Sequence, residues 1–164
     1  MPSTVLHLIK GLGRGGAERL LITCARHRNP EWPLQIAYFL PHKDQLVAEL
    51  QAAGCEVGLF PARNFLSMLL QIPALVRMVR ARRIRLIHAH LPTAGIIGAA
   101  VSRLTGVPLV YSEHNLFSRY HPVIRLLSRL SFRQRSVTIA VSQAVEEEIR
   151  KSFPVAINLR TIPK

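Results

Sequence analysis

The chain has 164 residues, 49% of them hydrophobic, which is enough for one domain with a substantial core. Its 22 Lys and Arg against nine acids give a net charge of +13, which favours anionic partners such as nucleotide phosphates or acidic lipid. The sequence has no uncharged apolar stretch of about 18 residues, no signal-peptide pattern and no Cys-x-x-Cys motif, so we expect a reduced, cytoplasmic domain without a membrane span.

Short β-branched runs alternate along the chain with segments whose apolar residues recur every three or four positions. The predicted strands are Thr4–Ile9, Leu34–Leu40, Glu56–Phe60, Leu86–Ala89, Pro108–Ser112 and Val137–Val141, with Asn158–Ile162 as a candidate seventh. The predicted helices are Gly16–Arg28, Lys43–Ala53, Leu66–Arg83, Thr93–Thr105, Val123–Arg135 and Ser142–Lys151. This alternation predicts a single α/β domain over residues 1–164, a Rossmann-like, doubly wound parallel sheet of six or seven strands with helices on both faces.

A glycine-rich turn joins the first strand to the first helix, where Gly11, Gly13 and Gly16 satisfy the pattern G-x-G-x-x-G. Such a turn favours a phosphate group at the N-terminus of the helix. A nicotinamide dinucleotide would also need an acid at the tip of the second strand, and that strand ends Tyr38-Phe39-Leu40-Pro41-His42 without one. The turn therefore predicts a phosphate site and disfavours a dinucleotide site.

Five segments, in order, carry a family resemblance: Gly15-Gly16-Ala17-Glu18, Leu86-Ile87-His88-Ala89-His90, Val110-Tyr111-Ser112-Glu113-His114-Asn115, Ile139-Ala140-Val141-Ser142-Gln143-Ala144-Val145-Glu146-Glu147 and Arg160-Thr161-Ile162-Pro163-Lys164. Together they resemble the N-terminal domain of family-4 glycosyltransferases, which are retaining enzymes of the GT-B fold. The resemblance implies that this chain is the acceptor-side lobe and that a C-terminal lobe outside this sequence holds the nucleotide-sugar. It also implies that the isolated chain is inactive.

The resemblance implies that His114 is the catalytic residue, because its position is the one that contacts the donor sugar near the reacting carbon. An imidazole at the end of a strand can donate a hydrogen bond to a hydroxyl and orient a sugar. His90, at the tip of its strand, is the candidate for the acceptor site, whereas His88 is expected to point elsewhere and to be packed. We expect no metal site, because no third ligand is spaced to join His88 and His90.

The remaining candidate substrate-binding residues are Arg14, Gly15, Gly16, Glu18, Asn115 and Ser142. The two glycines would touch the donor diphosphate or the acceptor, and Arg14 is either a phosphate partner or a solvated side chain. Glu18 either caps the first turn of its helix or contacts the acceptor. Ser142 is expected to cap the helix predicted over residues 142–151, which it begins. No cofactor is expected, since the nucleotide-sugar, a UDP- or GDP-sugar, is the donor substrate.

The helices predicted over residues 66–83 and 123–135 are basic and amphipathic. In the second of them, Arg125, Arg129 and Arg133 recur every four residues, and Ile124, Leu127 and Leu130 line another face. Such helices suit an anionic membrane surface, which the resemblance also implies for enzymes that use lipid-linked acceptors. The alternative is that the apolar faces cover the sheet and the arginines are solvated.

Two other classes of protein remain as alternatives. A basic nucleic-acid-binding module would explain the charge, but only 6% of residues are aromatic and no recognition motif is present, so no nucleic acid is expected. A nucleotide-binding Rossmann enzyme, such as a nucleotide-sugar epimerase, shares the predicted fold. The preferred partners are a nucleotide-sugar donor, a saccharide or lipid-linked acceptor of the cell envelope, an anionic membrane and the C-terminal lobe.

Overall fold

A computed structural model of the protein describes residues 4–153 and 158–163. Seven parallel strands form one sheet in the order β3-β2-β1-β4-β5-β6-β7. Their bounds are β1 Val5–Ile9, β2 Leu34–Tyr38, β3 Glu56–Leu59, β4 Leu86–His90, β5 Leu109–Glu113, β6 Val137–Ala140 and β7 Leu159–Thr161. The predicted parallel α/β sheet is confirmed, and the candidate seventh strand forms its edge.

The connections between strands are helical, as the apolar periodicity predicted. The α-helices are α1 Gly16–His27, α2 Val47–Ala52, α3 Phe65–Leu69, α4 Ile72–Ala81, α5 Pro92–Thr105, α6 Pro122–Ser131 and α7 Gln143–Ser152. Within the described ranges, none of these helices combines the length and apolarity needed to cross a bilayer.

Helices cover both faces of the sheet, because the crossovers on the two sides of β1 run in opposite directions. On one face, Leu21 of α1 and Leu50 of α2 pack in a cluster with Ile9 of β1. On the other face, Leu75 of α4 and Ile97 of α5 pack in the larger core cluster. The sheet is therefore doubly wound, with its topological switch point between β1 and β4.

The prediction of one continuous helix over residues 66–83 is wrong, because α3 ends at Leu69 and α4 begins at Ile72. Pro73 lies in the first turn of α4. Proline has no N–H and its ring clashes with the carbonyl four residues earlier, so a helix cannot continue through this position unbroken. The helix predicted from Lys43 also begins later, at Val47, since Lys43 and Leu46 instead exchange backbone hydrogen bonds with Leu12.

Helix α5 lies close against the sheet because two of its residues facing the strands are glycines. A Cβ on Gly95 would lie 2.6 Å from Cε2 of Tyr111, and one on Gly98 would lie 3.2 Å from Cβ of Ala89. This approach fixes the position of α5, which begins directly after β4 and so borders the carboxyl end of the sheet.

We expect the substitution Gly95→Ala to destabilise the fold by about 1–3 kcal/mol, because the new methyl group would overlap the buried ring of Tyr111. Urea denaturation monitored by circular dichroism measures this change. The matched control is Gly13→Ala, whose Cβ would meet the side chains of Gln45 and Lys43 at the ordinary contact distances of 3.5 and 4.0 Å. An equal effect of the two substitutions would contradict the close packing of α5.

Candidate functional site

Strand register brings histidines from β1, β4 and the end of β5 onto one face of the sheet. His7 of β1 lies opposite His88 of β4, and His90 lies opposite Ser112 of β5. Since alternate residues of a strand share a face, His88 and His90 point to the same side. The expectation that these two side chains point in different directions is therefore wrong, and their ring centroids lie 4.3 Å apart.

The histidines form a continuous row of polar contacts toward the carboxyl edge of the sheet. Nδ1 of His7 lies 3.0 Å from Nε2 of His90, and Nδ1 of His90 lies 3.3 Å from Nε2 of His114. Nε2 of His88 lies 2.8 Å from Oγ of Ser112. The two residues assigned from sequence to the sugar and the acceptor, His114 and His90, are thus adjacent in space although they are 24 positions apart in the chain.

His7 is the residue of this row that sequence reasoning missed. It lies in the middle of β1, is buried and makes ring contacts with both His88 and His90. One ring nitrogen from each of His7, His88 and His90 can be chosen so that all three lie within 4.8 Å of one another. The reason given from sequence against a metal site, that no third ligand is available, is therefore wrong. The available signal was a histidine inside an otherwise apolar strand that pairs with β4.

Burial keeps the inner imidazoles neutral. Desolvation lowers the pKa of His7 well below its usual value, and the neighbouring His88 lowers it further. Desolvation also lowers the pKa of His88 to about 4. At neutral pH each of these rings therefore carries one N–H group and one bare nitrogen.

The backbone is strained where β4 ends. Leu91 follows His90 directly and has φ of 70° and ψ of 156°, a conformation that residues with a side chain rarely adopt. Pro92 begins α5 and restricts Leu91 further, while the amide of Leu91 donates a hydrogen bond to the carbonyl of Ser112. Such a conformation costs about 1–3 kcal/mol and persists where surrounding contacts hold it, as the hydrogen bond between Leu91 and Ser112 does here beside His90.

Glu113 holds the turn that carries His114. Its carboxylate is buried and accepts hydrogen bonds from the hydroxyls of Tyr111 and Tyr120 and from the backbone amides of His114 and Asn115. Desolvation raises the pKa of this carboxyl group, and the hydrogen bonds from the two tyrosines oppose that rise. Glu113 faces away from the histidine row, so its role is to position the turn.

The other two candidates at this end of the sheet lie in the turns after β5 and β6. Asn115 is exposed, and its backbone is held by Glu113. Ser142 is the N-cap of α7, where its hydroxyl accepts a hydrogen bond from the amide of Val145 at 3.3 Å. The capping role predicted for Ser142 is confirmed.

The glycine turn presents exposed backbone at the N-terminus of α1. Gly15 is the N-cap and Gly16 the first helical residue, and both are exposed. Glu18 lies in the first turn, and its carboxylate folds back over Gly15, where a Cβ would collide with it. Behind the turn, the buried Leu12 anchors the loop through backbone hydrogen bonds to Lys43 and Leu46. The N-terminus of α1 is therefore exposed at the end of a fixed loop, with the Glu18 carboxylate lying over Gly15.

Arg14 lines a groove of about 410 Å³ between α1 and α2. The groove is lined by Arg14, Arg19, Ile22, Thr23, Arg26, Gln45, Leu46 and Glu49. Arg19 and Arg26 were not identified from sequence, although their spacing of seven residues places them on one face of a helix. Arg26 is paired with Glu49 at 2.8 Å, so the excess charge of the groove lies with the other two arginines.

Comparison with models of known protein families assigns the chain to one family. Residues 2–164 match the family described as Glycosyltransferase Family 4, and the chain belongs to this family. A search of curated proteins gave no match.

Solved structures share the fold. The Anabaena protein HepE, in complex with UDP, superposes with a TM-score of 0.80 at 21% identity over 98% of this chain and 43% of its own. The lipopolysaccharide outer core galactosyltransferase WaaB gives a TM-score of 0.77 at 10% identity, covering 98% of this chain and 45% of its own. A UDP-GlcNAc 2-epimerase from Neisseria meningitidis gives 0.69 at 11% identity, with 96% of this chain and 46% of its own covered.

This chain thus spans less than half the length of each of these proteins, as expected for the N-terminal domain of a GT-B enzyme. The similarity to the epimerase shows that the fold is shared between transferases and epimerases. The match to Glycosyltransferase Family 4 is what separates the two classes here.

We expect Glu113→Gln to destabilise the chain by about 2–3 kcal/mol, because the amide group cannot accept all four hydrogen bonds that reach the carboxylate. Urea denaturation gives the stability, and amide chemical shifts of His114 and Asn115 report the turn. Glu147→Gln, an exposed site on α7, is the matched control. A loss below about 0.5 kcal/mol, the size expected at a surface site, would show that Glu113 does not hold the turn.

Proposed function

We propose that this chain is the acceptor-side lobe of a retaining glycosyltransferase that moves a sugar from a UDP- or GDP-sugar to a saccharide or lipid-linked acceptor of the cell envelope. The observation that carries the proposal is the contact between His90 and His114 at the carboxyl edge of the sheet, beside the glycine turn, in a chain of Glycosyltransferase Family 4. Ligands of open parallel sheets bind at this edge, next to the topological switch point.

His114 is the proposed catalytic residue, and His90, the acceptor-site candidate, is only 1% exposed, so we propose that it positions His114 rather than touching the acceptor itself. His114 is partly exposed, so it can reach a sugar hydroxyl, whereas the buried His90 supports it from below. A side chain held in this way orients a substrate at little entropic cost. Asn115 and Ser142, in neighbouring turns, are the proposed polar contacts around the same sugar.

The glycine turn and the arginine groove supply the proposed phosphate contacts. Gly15 and Gly16 are exposed, and the amides of the first turn of a helix suit a diphosphate at the N-terminus of α1. Arg14 and Arg19 lie in the adjoining groove, where a phosphate of a lipid-linked acceptor would find positive charge. Glu18, folded over Gly15, is placed to accept a hydrogen bond from an acceptor hydroxyl once it swings outward.

A transfer mechanism based on orientation suits this set of side chains better than hydrolysis by two carboxylates. A glycosidase would need two facing carboxylates, but Glu113 is buried and turned to the opposite face, so it cannot pair with Glu18 across the cleft. Stabilisation of the departing diphosphate by amides and arginines, with a donor lobe closing over them, accounts for the same residues. The nucleotide and the donor sugar would then be held mainly by that second lobe.

The test is a transferase assay with UDP- and GDP-sugars on the protein in which this chain is joined to its C-terminal lobe. We expect His114→Ala to lower kcat about 100-fold because the sugar loses an orienting hydrogen bond. His27→Ala, at the far end of α1, is the control and should change little. The 164-residue chain alone should give no transfer. Full activity of His114→Ala, or transfer by the chain alone, would contradict the proposal.

Docking on an anionic membrane, from the cytoplasmic side, is the second part of the proposal. Ile124 and Leu127 of α6 are half-buried, but Leu130 is 71% exposed, so the expected face of Ile124, Leu127 and Leu130 is divided between core and solvent. Val123 and Leu126 are also exposed and extend a surface strip with Leu130. The flanking basic residues on or next to α6 are Arg119, Arg125, Arg129 and Arg133.

An apolar strip flanked by arginines suits the boundary between headgroups and acyl chains, where each basic residue adds about 1 kcal/mol. Leu66 of α3 and Leu70, the C-cap of that helix, form a similar pair, because they are 68% and 73% exposed. The strip would bring the carboxyl edge of the sheet, where α6 begins, to the membrane that holds a lipid-linked acceptor.

We expect the double substitution Leu126→Asp/Leu130→Asp to weaken binding to vesicles of mixed anionic and neutral lipid by about tenfold or more, because two exposed leucines lose their apolar contact. Vesicle sedimentation at low salt measures the binding. Leu104→Asp is the matched control, since Leu104, near the end of α5, is 56% exposed, the same fraction as Leu126, and does not belong to the strip. No preference of the unsubstituted chain for anionic over neutral vesicles would overturn the docking proposal.

A further inference from the structure

We propose that His7, His88 and His90 form a binding site for one divalent transition-metal ion of the zinc type. The site lies across the two central strands β1 and β4, on the face that carries the histidine row. This inference does not depend on the transferase proposal, because it rests on the arrangement of the three rings alone.

The geometry already approaches that of a three-histidine centre. Zinc bonds to imidazole nitrogen at about 2.0–2.1 Å, so nitrogens around one tetrahedral ion lie a little over 3 Å apart. Nδ1 of His7 and Nε2 of His90 lie 3.0 Å apart, and one ring nitrogen from each of the three residues can be chosen so that all lie within 4.8 Å. Binding would draw these nitrogens together around the ion.

Proton balance is satisfied without adding or removing a charged group. In the metal-free chain one N–H bridges His7 and His90, and a metal ion needs both of those nitrogens bare. Each neutral ring then keeps its single proton on the other nitrogen. For His90 this nitrogen is Nδ1, which faces Nε2 of His114, so the metal-bound form donates a hydrogen bond to His114.

The donor set and the surroundings select the kind of ion. Three imidazoles without a carboxylate suit Zn²⁺, Co²⁺, Ni²⁺ or Cu²⁺ and disfavour Mg²⁺, which prefers oxygen ligands. His88 is half-buried, as are Val110 beside it in the register and Ile139 beyond Ser112, so an ion can enter from this face of the sheet. A water molecule would take the fourth position. Such an ion would tie β1 to β4 and fix the ring of His90 under His114.

The test begins with chain stripped by a chelator and titrated with ZnCl₂ against a chromophoric competitor. We expect one high-affinity ion per chain and no comparable binding of Mg²⁺. His88→Gln should weaken zinc binding by more than about 100-fold, since loss of a direct ligand costs at least as much as loss of a supporting partner. Ser112→Ala, which removes the hydrogen-bond partner of His88, should weaken it by about tenfold.

Exposed ligands provide the controls. His27→Gln, His42→Gln and Cys24→Ser alter exposed side chains that can bind zinc adventitiously, and each should leave the affinity unchanged. Zinc X-ray absorption of the unsubstituted loaded chain gives an independent count of three imidazoles, which keeps the test decisive if His88→Gln fails to fold. Absence of saturable binding, equal affinity in His88→Gln, or fewer than three imidazoles around the ion would overturn the proposal.

Discussion

Parallel pairing of β1 with β4 and of β4 with β5 determines where the candidate functional side chains lie. The register sets His7 against His88 and His90 against Ser112, and the alternation of side chains then puts all of them on one face. A shift of one residue in either pairing would turn histidines into the apolar core beneath α4 and α5. Burial of Ile87 and Ala89 on that opposite face is therefore what holds the register of β4 and, with it, the histidine row.

One face of the central strands carries the close packing that stabilises the fold, and the other carries the candidate functional side chains. On the side of α5, close packing of Gly95 against Tyr111 and the hydrogen bonds to Glu113 fix the end of β5. On the other side, polar rings lie in contact and reach the carboxyl edge through His114. The turn after β5 belongs to both, because Glu113 holds its backbone from one face while His114 extends from the other. A change made for stability at Glu113 thus also moves the candidate catalytic residue.

Apolar periodicity predicted the alternation of strands and helices along the chain and the parallel class of the sheet, because these depend on local pattern and short connections. The helix break at Pro73 was missed because the apolar pattern continues through the proline. The late start of α2 was missed because it depends on backbone hydrogen bonds between Leu12 and the loop before the helix, which leave no periodic pattern in the sequence. His90 and His114 were recognisable from their place at strand ends. The contribution of His7 was not, because only the pairing of distant strands brings it to His88 and His90.

Histidine side-chain NMR on the metal-free chain tests the shared row of rings most directly. Long-range nitrogen correlation of labelled histidines, followed across pH, gives the tautomer and the pKa of each ring. We expect His7 and His88 to stay neutral at pH 6, with the pKa of His88 near 4, and ring protons of His90 to show contacts with both His7 and His114. Titration of His7 and His88 near the usual value of about 6.5, without contacts between the rings, would contradict the packed row of buried histidines.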